Sequence, residues 1–220
     1  MKIAGLVKTS TIDYPGYLSC VIFTAGCNYD CWYCHNRELL NDPKLLEEKD
    51  IFDFLEKRVG LLEAVVISGG EPTIQSDLHA FIVKVKELGY LIKMDTNGSH
   101  PELLRQLLDE SLVDYVALDY KAPFDRYPEL TRQTSNGLKE SLAALYASNI
   151  TWEGRTTVVR QLSFNDVLMM AKALPILPHY FLQRYRPVNN EDPGSIYSSA
   201  QIEELADLVR TPQPNVRVRE

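Results

Sequence analysis

From residue 18 onward the chain repeats one pattern, a short run of β-branched and aliphatic residues followed by an amphipathic segment of helical period. Alternation of this kind is the signature of βα units around a parallel sheet. Strands are expected at about Leu18–Phe23, Ala64–Ile67, Leu91–Asp95, Asp114–Leu118, Gly154–Arg160 and His179–Tyr185, which makes six units. The helices between and after them are expected at Glu48–Val59, Ser76–Leu88, Pro101–Glu110, Leu138–Ala147, Asn165–Leu174 and Ser199–Val209. In the first of these Ile51, Phe52, Leu55 and Val59 share one face, spaced for burial. Ala122–Arg132 mixes prolines, aromatics and charges without a period and reads as a loop, as does polar Asn189–Gly194. A chain of 220 residues is long enough for one substantial core, so residues 1–220 are expected to form a single domain. Active sites of such sheets lie at the carboxyl ends of the strands.

The first strand runs straight into residues 24–36, which hold three of the chain's four cysteines. Cys27, Cys31 and Cys34 are separated by three and then two residues, so one short loop can point three sulfurs at a common centre. That spacing asks for a metal. Iron–sulfur cubes and structural zinc sites are usually closed by four ligands, and three thiolates leave one position open for chemistry. The competing reading is a non-catalytic zinc-binding module with His35 as the fourth ligand, a strained choice because His35 directly follows Cys34. Cys20 lies inside the apolar strand and reads as a buried structural thiol.

Composition narrows the function classes. Hydrophobic residues at 45% and charged residues at 24% are the proportions of a soluble globular protein. A formal net charge of −7 argues against a nucleic-acid partner. No apolar run approaches the ~20 residues needed to cross a bilayer, and Met1-Lys2-Ile3-Ala4-Gly5 does not open a signal pattern. A cytoplasmic location is expected.

The Cys-x3-Cys-x2-Cys spacing, with aromatic Tyr33 before the last cysteine, resembles the cluster loop of the radical S-adenosylmethionine (SAM) enzymes. The flanking Thr11-Ile12-Asp13-Tyr14-Pro15-Gly16 and Cys34-His35-Asn36 are similar to the activating enzymes of glycyl-radical enzymes, most of all those of anaerobic ribonucleoside-triphosphate reductase. Many activases have Asp-Gly-Pro-Gly where this chain has Asp13-Tyr14-Pro15-Gly16, which favours the ribonucleotide-reductase branch over the pyruvate formate-lyase branch. The resemblance implies a partial (βα)6 TIM-like barrel in which Cys27, Cys31 and Cys34 hold three irons of a [4Fe-4S] cluster and SAM chelates the fourth. It places Tyr33 near the adenine, and Ser68, Gly69, Gly70 and Glu71 along the methionyl amino group. Lys121 and Arg155 fall near the SAM carboxylate, while Asp95 and Asp119 bind SAM and a monovalent cation.

Several of these positions also have a reading of their own. Two glycines at a strand end let backbone approach a ligand closely. Two carboxylates at adjacent strand ends would repel unless a cation or ammonium sat between them, which suits hard-ion ligands. No adenine contact is assigned among Gln183, Arg184 and Tyr185, and His79, His100 and His179 fall outside every motif. The stretch between Cys34 and Ala64 leaves no space for a ferredoxin-like insert. The implied activity is reductive cleavage of SAM to set a glycyl radical on a partner, the large subunit of an anaerobic ribonucleotide reductase. A flavodoxin or ferredoxin would donate the electron. The rival within the same chemistry is a small-molecule enzyme such as a 7-carboxy-7-deazaguanine synthase-like protein.

Overall fold

The computed structural model describes residues 1–41, 43–187 and 196–220, so the expected loop Asn189–Gly194 lies outside the described residues. The chain divides into two compact units, each assembled from separate segments. The first comprises Met1–Asn28, Asn36–Ala117 and Asn136–Thr151, and the second Tyr29–His35, Leu118–Ser135 and Trp152–Glu220. Eight strands follow one another in chain order in a mostly parallel sheet that is open among the described residues. No described helix is long and apolar enough to cross a membrane.

In the first unit, β1 (Ile3–Ser10) runs antiparallel to β2 (Ser19–Thr24), with Val7 opposite Val21. β2 pairs in parallel with β3 (Ala64–Gly69) from Ser19–Ala64 to Thr24–Gly69, and β3 pairs with β4 (Leu91–Thr96). The middle of β2 (residues 20–23) and the start of β3 (residues 64–67) are continuous apolar runs because strands in a parallel sheet are covered on both faces. One face packs a cluster of Tyr14, Val21, Ala64, Val66, Tyr115 and Ala117, with Phe23 and Leu91 against it. Helices α1 (Glu48–Glu56), α2 (Leu78–Glu87), α3 (Pro101–Asp109) and α5 (Leu138–Ala147) bury their apolar stripes in this unit. The helix expected to reach Val59 stops at Glu56, and Val59 is 51% exposed rather than on the buried face.

β5 (Tyr115–Asp119) begins in the first unit and ends in the second. The second unit holds β6 (Thr151–Val158, from Trp152 on), β7 (Tyr180–Arg184) and β8 (Val216–Arg219) in parallel register, with α6 (Phe164–Lys172) and α7 (Ser199–Val209). Ser163 with Asp166 and Ser198 with Gln201 form reciprocal capping boxes that start these two helices.

Three elements depart from the expected six units. β1 is an edge strand of the sheet among the described residues, interrupted by Gly5 and with residues 7–9 exposed, so its sequence carries no alternation strong enough to announce it. β8 has only four residues; its Arg219 lies 3.9 Å over the Phe181 ring and pairs with buried Glu153. The segment expected as a plain loop over 122–132 contains the one-turn helix α4 (Tyr127–Thr131), which buries Tyr127, Leu130 and Thr131 and ends at Arg132 in the left-handed region. One turn is too short to show a period.

Candidate cofactor site

In the first unit the chain leaves β2 through Gly26, whose φ of +81° belongs to the left-handed region that favours glycine. The Gly69-Gly70-Glu71 turn after β3 closes onto this exit. Gly70 N–H donates to Thr24 O at 3.0 Å and Glu71 N–H to Gly26 O at 2.9 Å. A Cβ on Gly70 would fall on the Gly26 carbonyl, and one on Gly69 would strike the backbone of Thr24. The two glycines therefore admit the chain's own backbone just ahead of Cys27. Asn36 adds a side-chain bond to Gly69 O at 3.1 Å.

The Glu71 side chain is 1% exposed and faces inward. It accepts from Thr73 N–H (3.1 Å), Thr73 Oγ1 (2.5 Å), Thr96 Oγ1 (2.7 Å) and Asn97 N–H (2.7 Å). Burial pushes its pKa up, and these hydrogen bonds oppose the shift. Its carboxylate thus ties the turn after β3 to the turn after β4. Asn97 carries the link onward, donating to Asn28 Oδ1 at 2.9 Å and reaching Cys27 Sγ at 4.0 Å. His100, outside every motif, joins the same web: its Nδ1 lies 3.0 Å from Ser99 Oγ and 3.3 Å from Thr73 Oγ1.

Asp95, also in this unit, receives Ser68 Oγ at 2.9 Å on one oxygen and Lys93 Nζ at 2.5 Å on the other. Lys93 was not singled out from sequence, although a lysine amid Leu91-Ile92-Lys93-Met94 is the signal that could have found it.

In the second unit Cys34 N–H donates to Cys31 O at 3.1 Å, folding the loop back on itself. Cys31 is buried and Cys34 half-buried. Burial pushes the Cys31 thiol up, while the Lys121 ammonium pulls the other way. Asp119, at the end of β5, takes Arg155 Nε and Nη2 on one oxygen at 2.9 Å each, and Lys121 Nζ at 2.9 Å on the other. Burial works against the Lys121 charge, but Asp119, followed by Cys31 and Tyr33, outweighs it and raises its pKa.

Aromatic rings surround the loop in this unit. Tyr185, the residue after β7, stands edge-on to Trp32 (5.7 Å between centroids), Tyr33 (6.3 Å) and His35 (5.7 Å). Arg184 turns instead to Glu220 at 2.5 Å. Of Gln183, Arg184 and Tyr185, Tyr185 is thus the one whose ring packs on the cysteine loop.

Among the described residues no three His, Cys, Asp or Glu side chains are already gathered as a metal nest. The fit to a cluster therefore rests on donor chemistry. Three thiols on one loop are soft iron ligands, and a lysine beside Cys31 favours the thiolate that binds metal.

The sequence model described as the Radical SAM superfamily matches residues 21–174. The chain belongs to the radical SAM superfamily. It is a radical SAM enzyme, and membership implies a [4Fe-4S] cluster and SAM as cofactors. A Methanocaldococcus jannaschii protein named as a glycyl-radical enzyme activating enzyme is 38% identical over 202 residues, covering 86% of this chain and 82% of that protein. A second M. jannaschii protein so named is 32% identical over 111 residues, 46% of this chain and 38% of its own length. Among solved structures, Streptococcus suis SuiB bound to S-adenosylmethionine superposes with a TM-score of 0.72 at 19% identity, over 91% of this chain and 50% of that one. At that identity the likeness establishes the fold, a mostly parallel α/β sheet of the radical SAM type.

Proposed function

We propose that this radical SAM enzyme is a glycyl-radical enzyme activating enzyme whose partner is the large subunit of an anaerobic ribonucleotide reductase. The observation that carries the reading is the similarity, over 86% of the chain, to a protein named as such an activating enzyme. Support for the ribonucleotide-reductase branch comes from Asp13-Tyr14-Pro15-Gly16, where many other activases have a second glycine. The whole of residues 1–220 acts as one radical SAM domain in this reading, in the cytoplasm, with a flavodoxin or ferredoxin as electron donor.

Cys27, Cys31 and Cys34 would hold the [4Fe-4S] cluster, leaving one iron for SAM. When bound, the cluster and SAM together supply one-electron reductive cleavage and a carbon-centred radical that removes hydrogen. The protein's own residues hold and orient. Gly69 and Gly70 fix the backbone beside the loop, and Glu71 locks the turns that carry Asn97. Asp119, Arg155 and Lys121 together hold one negative and two positive groups, a surplus suited to the carboxylate of SAM. Tyr33, with Tyr185 against it, supplies an apolar wall for the adenine. Asp95, fixed by Ser68, would serve the polar end of SAM. A monovalent cation at Asp95 and Asp119 is not called for by the charges present, because each carboxylate already has an ammonium or guanidinium partner.

The test is anaerobic incubation of the reconstituted enzyme with SAM, a reductant and an anaerobic ribonucleotide reductase, followed by electron paramagnetic resonance. The reading expects a glycyl doublet on the reductase in proportion to deoxyadenosine formed. Rapid, coupled turnover of a free nucleoside or pterin with no radical on any reductase tested would replace it by the small-molecule reading.

A further inference from the structure

The monovalent cation expected at Asp95 does not fit the charges found there, and we infer that Lys93 takes its place: a built-in ammonium holds the Asp95 carboxylate so that SAM binds without an alkali ion. The placement follows from strand geometry. Lys93 and Asp95 are two apart on β4 and so share a face. Lys93 is in register with Val66 on β3, and Ser68 lies two residues beyond Val66 on that same face. Hydroxyl, ammonium and carboxylate thus converge by register alone, with Nζ 2.5 Å and Ser68 Oγ 2.9 Å from the two oxygens of Asp95.

The lysine is not a surface residue that happened to fold inward. Its side chain is 4% exposed, and its ammonium sits 5.9 Å from the centroid of the Tyr115 ring. A buried ammonium stays charged only beside a compensating partner, and Asp95 is that partner. The pair is neutral as a unit. A hard cation needs several oxygen ligands and must give up water to reach them. Here it would meet a carboxylate whose charge is already offset and an –NH3+ group that has donors but no acceptor. In the second unit Asp119 is likewise held, by Arg155 and Lys121.

Lys93 is a positioning residue on this account, since it acts through Asp95. The inference rests on Asp95 facing SAM. Its test is calorimetric binding of SAM to the reconstituted protein in tetramethylammonium buffer and then in potassium or sodium buffer of equal ionic strength, so that screening is constant. The wild-type affinity should change by less than about twofold between the two, the signature of no coupling between ion and ligand. Lys93→Met should weaken SAM binding by roughly tenfold in tetramethylammonium, because it strips Asp95 of its counter-charge, and potassium should restore much of the loss. Lys93→Arg should keep the alkali-independent behaviour. Crystals of the wild type soaked in rubidium should show no anomalous peak beside Asp95. A wild-type affinity that rises more than about twofold with potassium overturns the inference and leaves the activase reading intact. So does unchanged affinity in Lys93→Met. Should Lys93→Met not fold, the wild-type comparison decides alone. Absence of SAM binding in both buffers removes the functional reading, and this inference with it.

Discussion

Cys20 and Cys31 are both buried thiols, but only Cys31 has a cation beside it. Burial pushes the Cys20 thiol up to about 12, and nothing offsets that shift enough to make it a ligand at neutral pH. Lys121 pulls Cys31 the other way. Replacing any one of Cys27, Cys31 and Cys34 by alanine should abolish cluster assembly and SAM cleavage, whereas Cys20→Ala should retain the wild-type iron content and absorption spectrum. Glu71 gives a second prediction, for the apo protein. Its folded pKa is raised above the ordinary 4.5, so the native state binds this proton more tightly than the unfolded one. The stability it contributes is full below about 4.5 and is lost as pH rises through the folded value. Glu71→Gln removes that titration, so the denaturation midpoint of the variant should fall less than that of wild type as pH rises above about 4.5. The substitution also turns an amide N–H2 towards a donor of Thr73, Thr96 or Asn97, which should cost about 1–3 kcal/mol overall in urea titrations.

At the scale of elements, the turn after β3 and the exit from β2 are one mechanical piece. Gly70→Ala would drive a methyl group into the Gly26 carbonyl, so either the Gly69-Gly70-Glu71 turn or the segment entering Cys27 must move. A loss of roughly 2–4 kcal/mol is expected from overpacking against backbone. Iron bound per chain should drop along with the melting temperature. An alanine variant with normal stability and normal iron loading would show that the turn is not coupled to the cysteine loop. The apolar periods made the positions of α1, α2, α3, α5, α6 and α7 legible to within a few residues. The one-turn α4 and the four-residue β8 were not legible, because neither is long enough to display a period.

For the whole molecule, a glycine in a folded partner and a glycine in a short peptide present the same reacting atom but different binding energy. Remote contacts of the partner support chemistry at the reacting centre, so on the proposed activase reading a short glycine peptide should be a far poorer substrate than an intact partner enzyme, by a factor on the order of a hundred or more in kcat/KM. Comparable rates for both would argue against recognition of a protein surface. The amino-acid sequence by itself determined the α/β class, the three-thiol loop and the order of strand ends that follow it, because spacing and periodicity are properties of near neighbours along the chain. It was silent on Lys93 beneath Asp95, on Asn97 reaching towards Cys27 and on Tyr185 packed against the loop. Those partnerships join residues distant in sequence or hidden on one strand face. Only the tertiary structure decided them, since strand register and burial choose which side chains meet and whether a buried charge finds its counter-charge.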